Sequence, residues 1–277
     1  MEITSTLSPD DEYILGRTSA EYQRLRQQAM LWEFATQRVL SRLGLREGMS
    51  CADIGSGPGE TMRLMGELVG ASGYVLGVDM DNIIGQESLI MLKTANPARY
   101  EFLHANLLEL DELTQGPFDL VLARLTLYHM KNPADLLRKM SRWVKPGGYV
   151  VVQDYYNDGA APSAPFPEFQ HYKDVFYGVC RAAGLDPNIG VRLPDLFIEA
   201  GLGFPDDTDV AGRLVSFAQA KLMLKAVYTS VLQPALQLKL TTPERAQAYA
   251  DELDRVEQTG QVTAGLWPLM ISAWKKM

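Results

Sequence analysis

Between residues 18 and 43, apolar and aromatic side chains recur at Tyr22, Leu25, Ala29, Trp32, Phe34, Ala35, Val39 and Leu40. That spacing predicts a helix with one buried face, opened by Ser19 and stopped by Gly44. From residue 50 the period changes to short apolar runs, 50–54, 74–79, 100–104, 118–123 and 149–154, separated by helical stretches. The alternation predicts a parallel sheet with crossover helices. The helix before the fifth run is punctuated at both ends. Asn132 caps it, Pro133 suits its first turn, Leu136, Met140 and Val144 form one stripe, and Pro146-Gly147-Gly148 ends it.

After Asp154 the rhythm breaks. Residues 157–167 are rich in Pro, Ala, Ser and Gly; 169–183 and 193–200 read as helices, the second ended by Gly201. A Leu- and Ala-rich helical block spans 215–256, interrupted near Pro234 and Thr241, and the apolar run 267–274 reads as a late strand that rejoins the sheet. The expected organisation is an N-terminal helical cap over 1–46 and an α/β domain over 47–277 carrying helical lid insertions at about 157–185 and 213–261. No repeat or low-complexity tract interrupts it.

Composition narrows the class. Of 277 residues, 47% are hydrophobic and 22% charged, an ordinary globular balance, and the formal net charge is −8. No global basic field exists to hold a phosphate backbone, so nucleic acid is not the expected partner. Arg138, Lys139, Arg142 and Lys145 cluster at helical spacing and read as a solvated face. Cys51 and Cys180 have no metal-ligand or redox spacing, and residues 1–11 lack the basic-then-apolar order of a signal peptide. With no run long enough to span a bilayer, the expectation is a cytoplasmic protein with no membrane partner.

The chemistry concentrates in Asp53-Ile54-Gly55-Ser56-Gly57-Pro58-Gly59-Glu60, where a strand ends in a glycine turn and opens a helix. Glycines there let a ligand approach the backbone. Their spacing differs from the G-x-G-x-x-G of diphosphate-binding loops. Asp53 would repel a diphosphate but favour an ammonium or sulfonium. A second strand ends at Asp79, whose carboxylate suits a ribose diol. The features describe adenosine without phosphates, carrying a zwitterionic tail.

With these residues in place, the chain resembles the class I S-adenosylmethionine-dependent methyltransferases over residues 48–154. Asp53-Ile54-Gly55-Ser56-Gly57-Pro58-Gly59, Gly77-Val78-Asp79-Met80, Ala105-Asn106-Leu107, Phe118-Asp119-Leu120-Val121 and Lys145-Pro146-Gly147-Gly148 look like five family motifs in order. The resemblance implies a Rossmann-like doubly wound, mostly parallel sheet with an antiparallel late strand and a helical cover. It implies S-adenosylmethionine as cofactor, S-adenosylhomocysteine as product, and no metal. Gly55, Ser56 and Gly57 would meet the methionine part, Asp79 the ribose, Met80 the adenine face, and Asn106 with the Leu107 amide the adenine edge. Many members carry Asp where Asn106 stands. Segments 13–17 and 24–28 resemble those that fold over the cofactor, which brings in Tyr13 and Gln28; Arg124, just past a strand end, is a further cofactor candidate.

The subset most resembled methylates small molecules, including quinone rings and natural products. Such a transfer needs alignment, exclusion of water and, for a protonated acceptor, a base. His129 is the first candidate base, followed by His171 and Asp154; each also has a structural reading, as do His104, Tyr155 and Tyr156. The rivals are a nicotinamide-dependent oxidoreductase, disfavoured by the glycine spacing, a non-catalytic S-adenosylmethionine-binding module, homodimeric through the late helices, and an RNA methyltransferase, disfavoured by the charge. Leu and Met residues over 214–240 point to an apolar or aromatic acceptor.

Overall fold

The computed structural model describes residues 19–95 and 97–277, with side chains from residue 24 onward. Its strands are β1 (Ser50–Ile54), β2 (Tyr74–Asp79), β3 (Arg99–His104), β4 (Phe118–Arg124), β5 (Val144–Tyr155), β6 (Ala161–Pro162), β7 (Asp207–Ser216) and β8 (Ala264–Lys275). They form one sheet in the order β3-β2-β1-β4-β5-β8-β6, with β7 paired to β8. β1 to β5 pair in parallel, and β8 returns antiparallel to β5. The helices are α1 (Ser19–Arg42), α2 (Glu60–Val69), α3 (Asn82–Ala95), α4 (Pro133–Trp143), α5 (Pro167–Ala183), α6 (Leu193–Glu199), α7 (Phe217–Gln237) and α8 (Pro243–Thr259). This is the mostly parallel α/β fold that the periodicity predicts, with the antiparallel late strand that the resemblance implies.

The chain divides into two compact units. One, built from Leu25–Ala161, Leu185–Leu214 and Leu266–Met277, holds β1 to β5 and α2, α3, α4 and α6. Its core joins Ala52, Ile54, Leu76, Val78, Val121, Ala123, Val150 and Val152 of the strands to Leu136, Leu137, Met140 and Trp143 of α4 and Leu196 and Phe197 of α6. Burying each such side chain contributes roughly 1.5–3 kcal/mol. The other unit takes in Pro162–Gly184 and Val215–Gly265, with α5, α7 and α8 packed by Phe166 on Phe217 and Tyr228 on Tyr249.

Several expectations are corrected. α4 ends at Trp143, because Val144 is already extended (φ −97, ψ 143) and pairs with Phe118; Val144 therefore leaves the helical stripe, and Pro146-Gly147-Gly148 lies inside β5. Asn132 occupies the N-cap position of α4 without a side-chain cap bond. Phe34 is exposed, off the buried face of α1. β7 was not anticipated and takes Val215 from the helical block. Its residues are largely exposed, so no apolar alternation betrays it, and Asp207 and Asp209 instead meet Arg42 and Arg38 of α1. Pro234 sits in the last turn of α7 without breaking it. The basic cluster is not one solvated face: Lys139 is 5% exposed, and Lys145, on β5, pairs with Asp119 at 2.8 Å.

Candidate active site

The carboxyl ends of the parallel strands carry the site, as open α/β sheets dictate. Gly55, Gly57 and Gly59 all adopt positive φ, 75°, 46° and 79°, which only glycine accepts without strain. Their reasons differ. A Cβ at Gly55 would meet Thr126 Oγ1 at 2.5 Å and one at Gly59 would meet Ser88 Cβ at 2.8 Å, so internal packing excludes side chains there. At Gly57 a Cβ would meet nothing within 4 Å; it would fill open space beside the loop.

The loop's amides are all engaged inside the protein. Gly55 and Ser56 N–H donate to Val78 O at 2.8 and 3.0 Å, Gly57 N–H to Asp79 Oδ2 at 2.8 Å, and Gly59 N–H to Ser56 O at 3.0 Å. Pro58 has no N–H. Glu60 places an acid in the first turn of α2, where a diphosphate would otherwise profit from the helix dipole. Ser56 Oγ is buried and has no hydrogen-bond partner among the described residues; it lies 2.9 Å from where a Gly77 Cβ would stand, so this hydroxyl faces the sheet.

Two carboxylates flank the loop. Asp79 Oδ1 accepts from Asp81 N–H at 2.9 Å, and Oδ2 from Gly57, leaving lone pairs on both oxygens. Burial raises its pKa, opposed by those backbone donors. Asp53 is 2% exposed, and burial pushes its carboxyl up to about 7, against the pull of Arg124 and with the repulsion of Asp79. Arg124 donates from Nη1 to Thr36 Oγ1 at 3.0 Å, and Thr36 in turn donates to Gln153 Oε1 at 2.8 Å. Burial lowers the Arg124 pKa, opposed by Asp53, Tyr155, Glu60 and Glu33.

At the β3 end, Asn106 Oδ1 accepts from Leu108 N–H at 3.0 Å, closing a turn that includes the buried Leu107. Lys139 of α4 donates to Leu107 O and Leu108 O at 3.2 and 2.9 Å, so a buried ammonium fixes the turn from beneath. Sequence reasoning missed this, since only tertiary packing removes Lys139 from solvent. Met80 O lies 3.0 Å from His104 Nε2, at an exposed rim.

At the ends of β4 and β5, His129 closes a short 3-10 turn, Leu127–His129, its ring centroid 3.7 Å from that of Tyr128. Asp154 is fully buried. Oδ2 accepts from Tyr128 N–H at 3.3 Å and Oδ1 from Tyr155 N–H at 3.1 Å, with the Leu127 amide also directed at it. Burial pushes its carboxyl up to about 7. The carboxylate thus braces the turn that carries His129. Tyr155 Oη accepts from Gln28 Nε2 at 2.9 Å and Trp32 Nε1 at 2.8 Å, which ties α1 to β5. His171 belongs to the helical unit, where Nε2 lies 2.9 Å from Tyr228 Oη, which contacts Thr241 Oγ1 at 3.0 Å. Tyr13 lies outside the described residues.

Among the described residues, no group of three or more His, Cys, Asp or Glu side chains is placed to hold a metal, and no helix is long and apolar enough to cross a membrane. The open space at Gly57, the donor-poor loop and the two flanking carboxylates fit a nucleoside with a cationic tail.

A family model described as a methyltransferase domain matches residues 45–204. The chain is 30% identical over 154 residues to an arsenite methyltransferase of Aquipseudomonas alcaligenes, covering 51% of this chain and 41% of that protein. It is 30% identical over 146 residues to a demethylmenaquinone methyltransferase of Staphylococcus aureus, covering 50% and 57%. The chain therefore spans about half the length of these relatives. Among solved structures, Haemonchus contortus phosphoethanolamine N-methyltransferase 2, in complex with phosphomonomethylethanolamine and S-adenosylhomocysteine, shares the fold at a TM-score of 0.56 and 19% identity, over 98% of this chain and 61% of that one. Glycine turn, flanking acids, sheet order and family match agree: the chain belongs to the class I S-adenosylmethionine-dependent methyltransferases.

Proposed function

We propose that this protein transfers a methyl group from S-adenosylmethionine to a small organic acceptor, apolar or aromatic in its main part, held beside the ends of β4 and β5. The observation that carries the reading is that every N–H of the loop at positions 55, 56, 57 and 59 is satisfied internally. A diphosphate coenzyme would find no donors there, which argues against a nicotinamide enzyme. When bound, the cofactor supplies an electrophilic methyl on a sulfonium. Asp79 receives the ribose hydroxyls, Asp53 the cationic tail, and the turn at Asn106 and Leu107 the adenine edge. The remaining carboxyl edge of the sheet, with His129 and Tyr155, is left for the acceptor.

His129 takes a proton from an acceptor that bears one, and Asp154 steadies its turn. A positioned base contributes about 10²–10⁴-fold, so His129→Ala loses turnover in that range on a protonated acceptor and retains cofactor affinity; unchanged turnover would remove the base. Arsenite is disfavoured as the acceptor. Trivalent arsenic seeks thiolates, and the two cysteines of this chain, Cys51 and Cys180, are both buried, with burial raising the Cys51 pKa far above its ordinary value.

Titration with S-adenosylmethionine, S-adenosylhomocysteine and NAD tests the cofactor. The first two bind and NAD does not; the reverse would overturn the reading. A methyl-release assay over quinols, phenols, phosphoethanolamine and arsenite tests the acceptor. Turnover confined to phosphoethanolamine or arsenite would refute an apolar or aromatic acceptor.

A further inference from the structure

Arg124, half-buried, and the fully buried Thr36 and Gln153 form a chain of hydrogen bonds that neither the cofactor motifs nor the acceptor reading explains. Arg124 ends β4 and lies in register with Gln153 on β5, so both point to one face of the sheet. Asp53 pairs in register with Leu122, two residues before Arg124, which puts Asp53 on that same face one strand away. Thr36 reaches down from α1 with no exposed surface. Its single hydroxyl proton goes to Gln153 Oε1, so only its lone pairs face Arg124 Nη1. The guanidinium is therefore hung from a fixed peg.

The arrangement carries a cost. Gln153 is 0% exposed, and its Nε2 has no hydrogen-bond partner among the described residues. Leaving a buried donor unsatisfied costs about 1–3 kcal/mol, which apolar residues at these positions would avoid. A polar chain retained at such a cost points to a use beyond folding.

We propose that Arg124 is a positioning residue for cofactor binding: hung from Thr36 and Gln153 on the sheet face that Asp53 shares, its guanidinium sets a positive charge that favours the Asp53 carboxylate as the receiver of the ammonium of the cofactor's amino-acid tail. The inference rests on the reading that Asp53 faces that tail. Asp53 feels the charges of Arg124 on β4 and Asp79 on β2; Arg124 feels those of Asp53, Tyr155 of β5, Glu60 of α2 and Glu33 of α1. Among the described residues Arg124 is the cation that acts on Asp53, and its loss leaves the carboxyl facing burial and a second acid. That favours the proton over the charge.

The test is calorimetric binding of S-adenosylhomocysteine between pH 5.5 and 8.5, with 5′-methylthioadenosine, which lacks the amino-acid tail, as control. In the wild type, affinity for S-adenosylhomocysteine falls about tenfold per pH unit below about 7, and the control ligand is indifferent to pH. Arg124→Met moves the midpoint up by about one pH unit or more, weakening binding about tenfold at pH 7 and little at pH 8.5. Thr36→Val moves it the same way, about threefold at pH 7, and Thr36→Ser restores the wild-type profile. This pair carries the test if Arg124→Met does not fold. Weakening by Arg124→Met that is equal at every pH would mean a direct grip on the ligand and overturn the proposal, as would unchanged profiles in Arg124→Met and Thr36→Val. A wild-type protein that binds neither ligand would remove the cofactor reading and the proposal together; one that binds both without pH dependence would remove the proposal alone.

Discussion

Replacing Asp154 by alanine separates bracing from proton transfer. The carboxylate, itself with no solvent exposure, receives the Tyr128 and Tyr155 amides at 3.3 and 3.1 Å together with that of Leu127. Each buried donor left without an acceptor costs about 1–3 kcal/mol, so three cost at least about 3 kcal/mol. For a chain of this size each kcal/mol moves the melting temperature by about 2–4 °C, which predicts a fall of at least about 6 °C. Thermal unfolding followed by circular dichroism at pH 8, where the carboxyl is ionised, reads the effect. Asp154→Asn keeps one oxygen acceptor and falls about half as far. Turnover drops because the turn bearing His129 loosens, while S-adenosylhomocysteine affinity holds within about threefold. If Asp154→Ala melts within 2 °C of the wild type yet loses turnover by about 10²-fold or more, bracing is refuted and Asp154 is the base.

Other outcomes follow from the same geometry. Asp79→Ala removes the acceptor of the Gly57 and Asp81 amides as well as the proposed ribose partner, so affinity for S-adenosylhomocysteine falls by about 10²-fold, roughly 2.7 kcal/mol, by calorimetry; a loss under threefold would remove the ribose assignment. Gly85→Ala drives a methyl to 2.0 Å from the Phe102 ring and costs about 1–3 kcal/mol in urea unfolding, whereas wild-type stability would show that α3 slides freely. Asp53 has a raised folded-state pKa, so the protonated carboxyl is the better accommodated form. Its contribution is present below about pH 4 and is lost as pH rises toward 7. The stability of the wild type relative to Asp53→Asn therefore declines by up to about 1.4 kcal/mol per pH unit across that window, and a rise would contradict burial as the dominant influence.

Where the sequence is a sufficient guide, the reason is burial on both faces. β1 and β2 run over the residues their apolar runs mark, because central parallel strands have no solvent face to dilute the pattern. β7 escapes because an exposed edge strand needs no apolar face, and the start of β5 because Pro146-Gly147-Gly148 looks like a stop until Phe118 is seen to pair with Val144. Asp53 and Asp79 could be found from strand ends next to a glycine turn. The hydrogen bonds of Asp154 to three amides could not, since a strand residue's partners across a loop leave no local trace. The same holds for Thr36, whose part at the site depends on how α1 lies on β5.

Lys139 carries a consequence for ionic strength. Its ammonium, held by the carbonyls of Leu107 and Leu108 and lying 3.4 Å from Asp111 and 3.8 Å from Asp135, is almost entirely out of water. Dissolved ions screen exposed pairs such as Arg38 with Asp209 but reach a buried charge poorly. The turn proposed to meet the nucleobase should therefore hold its shape in concentrated salt, where the surface latch between α1 and β7 gives way.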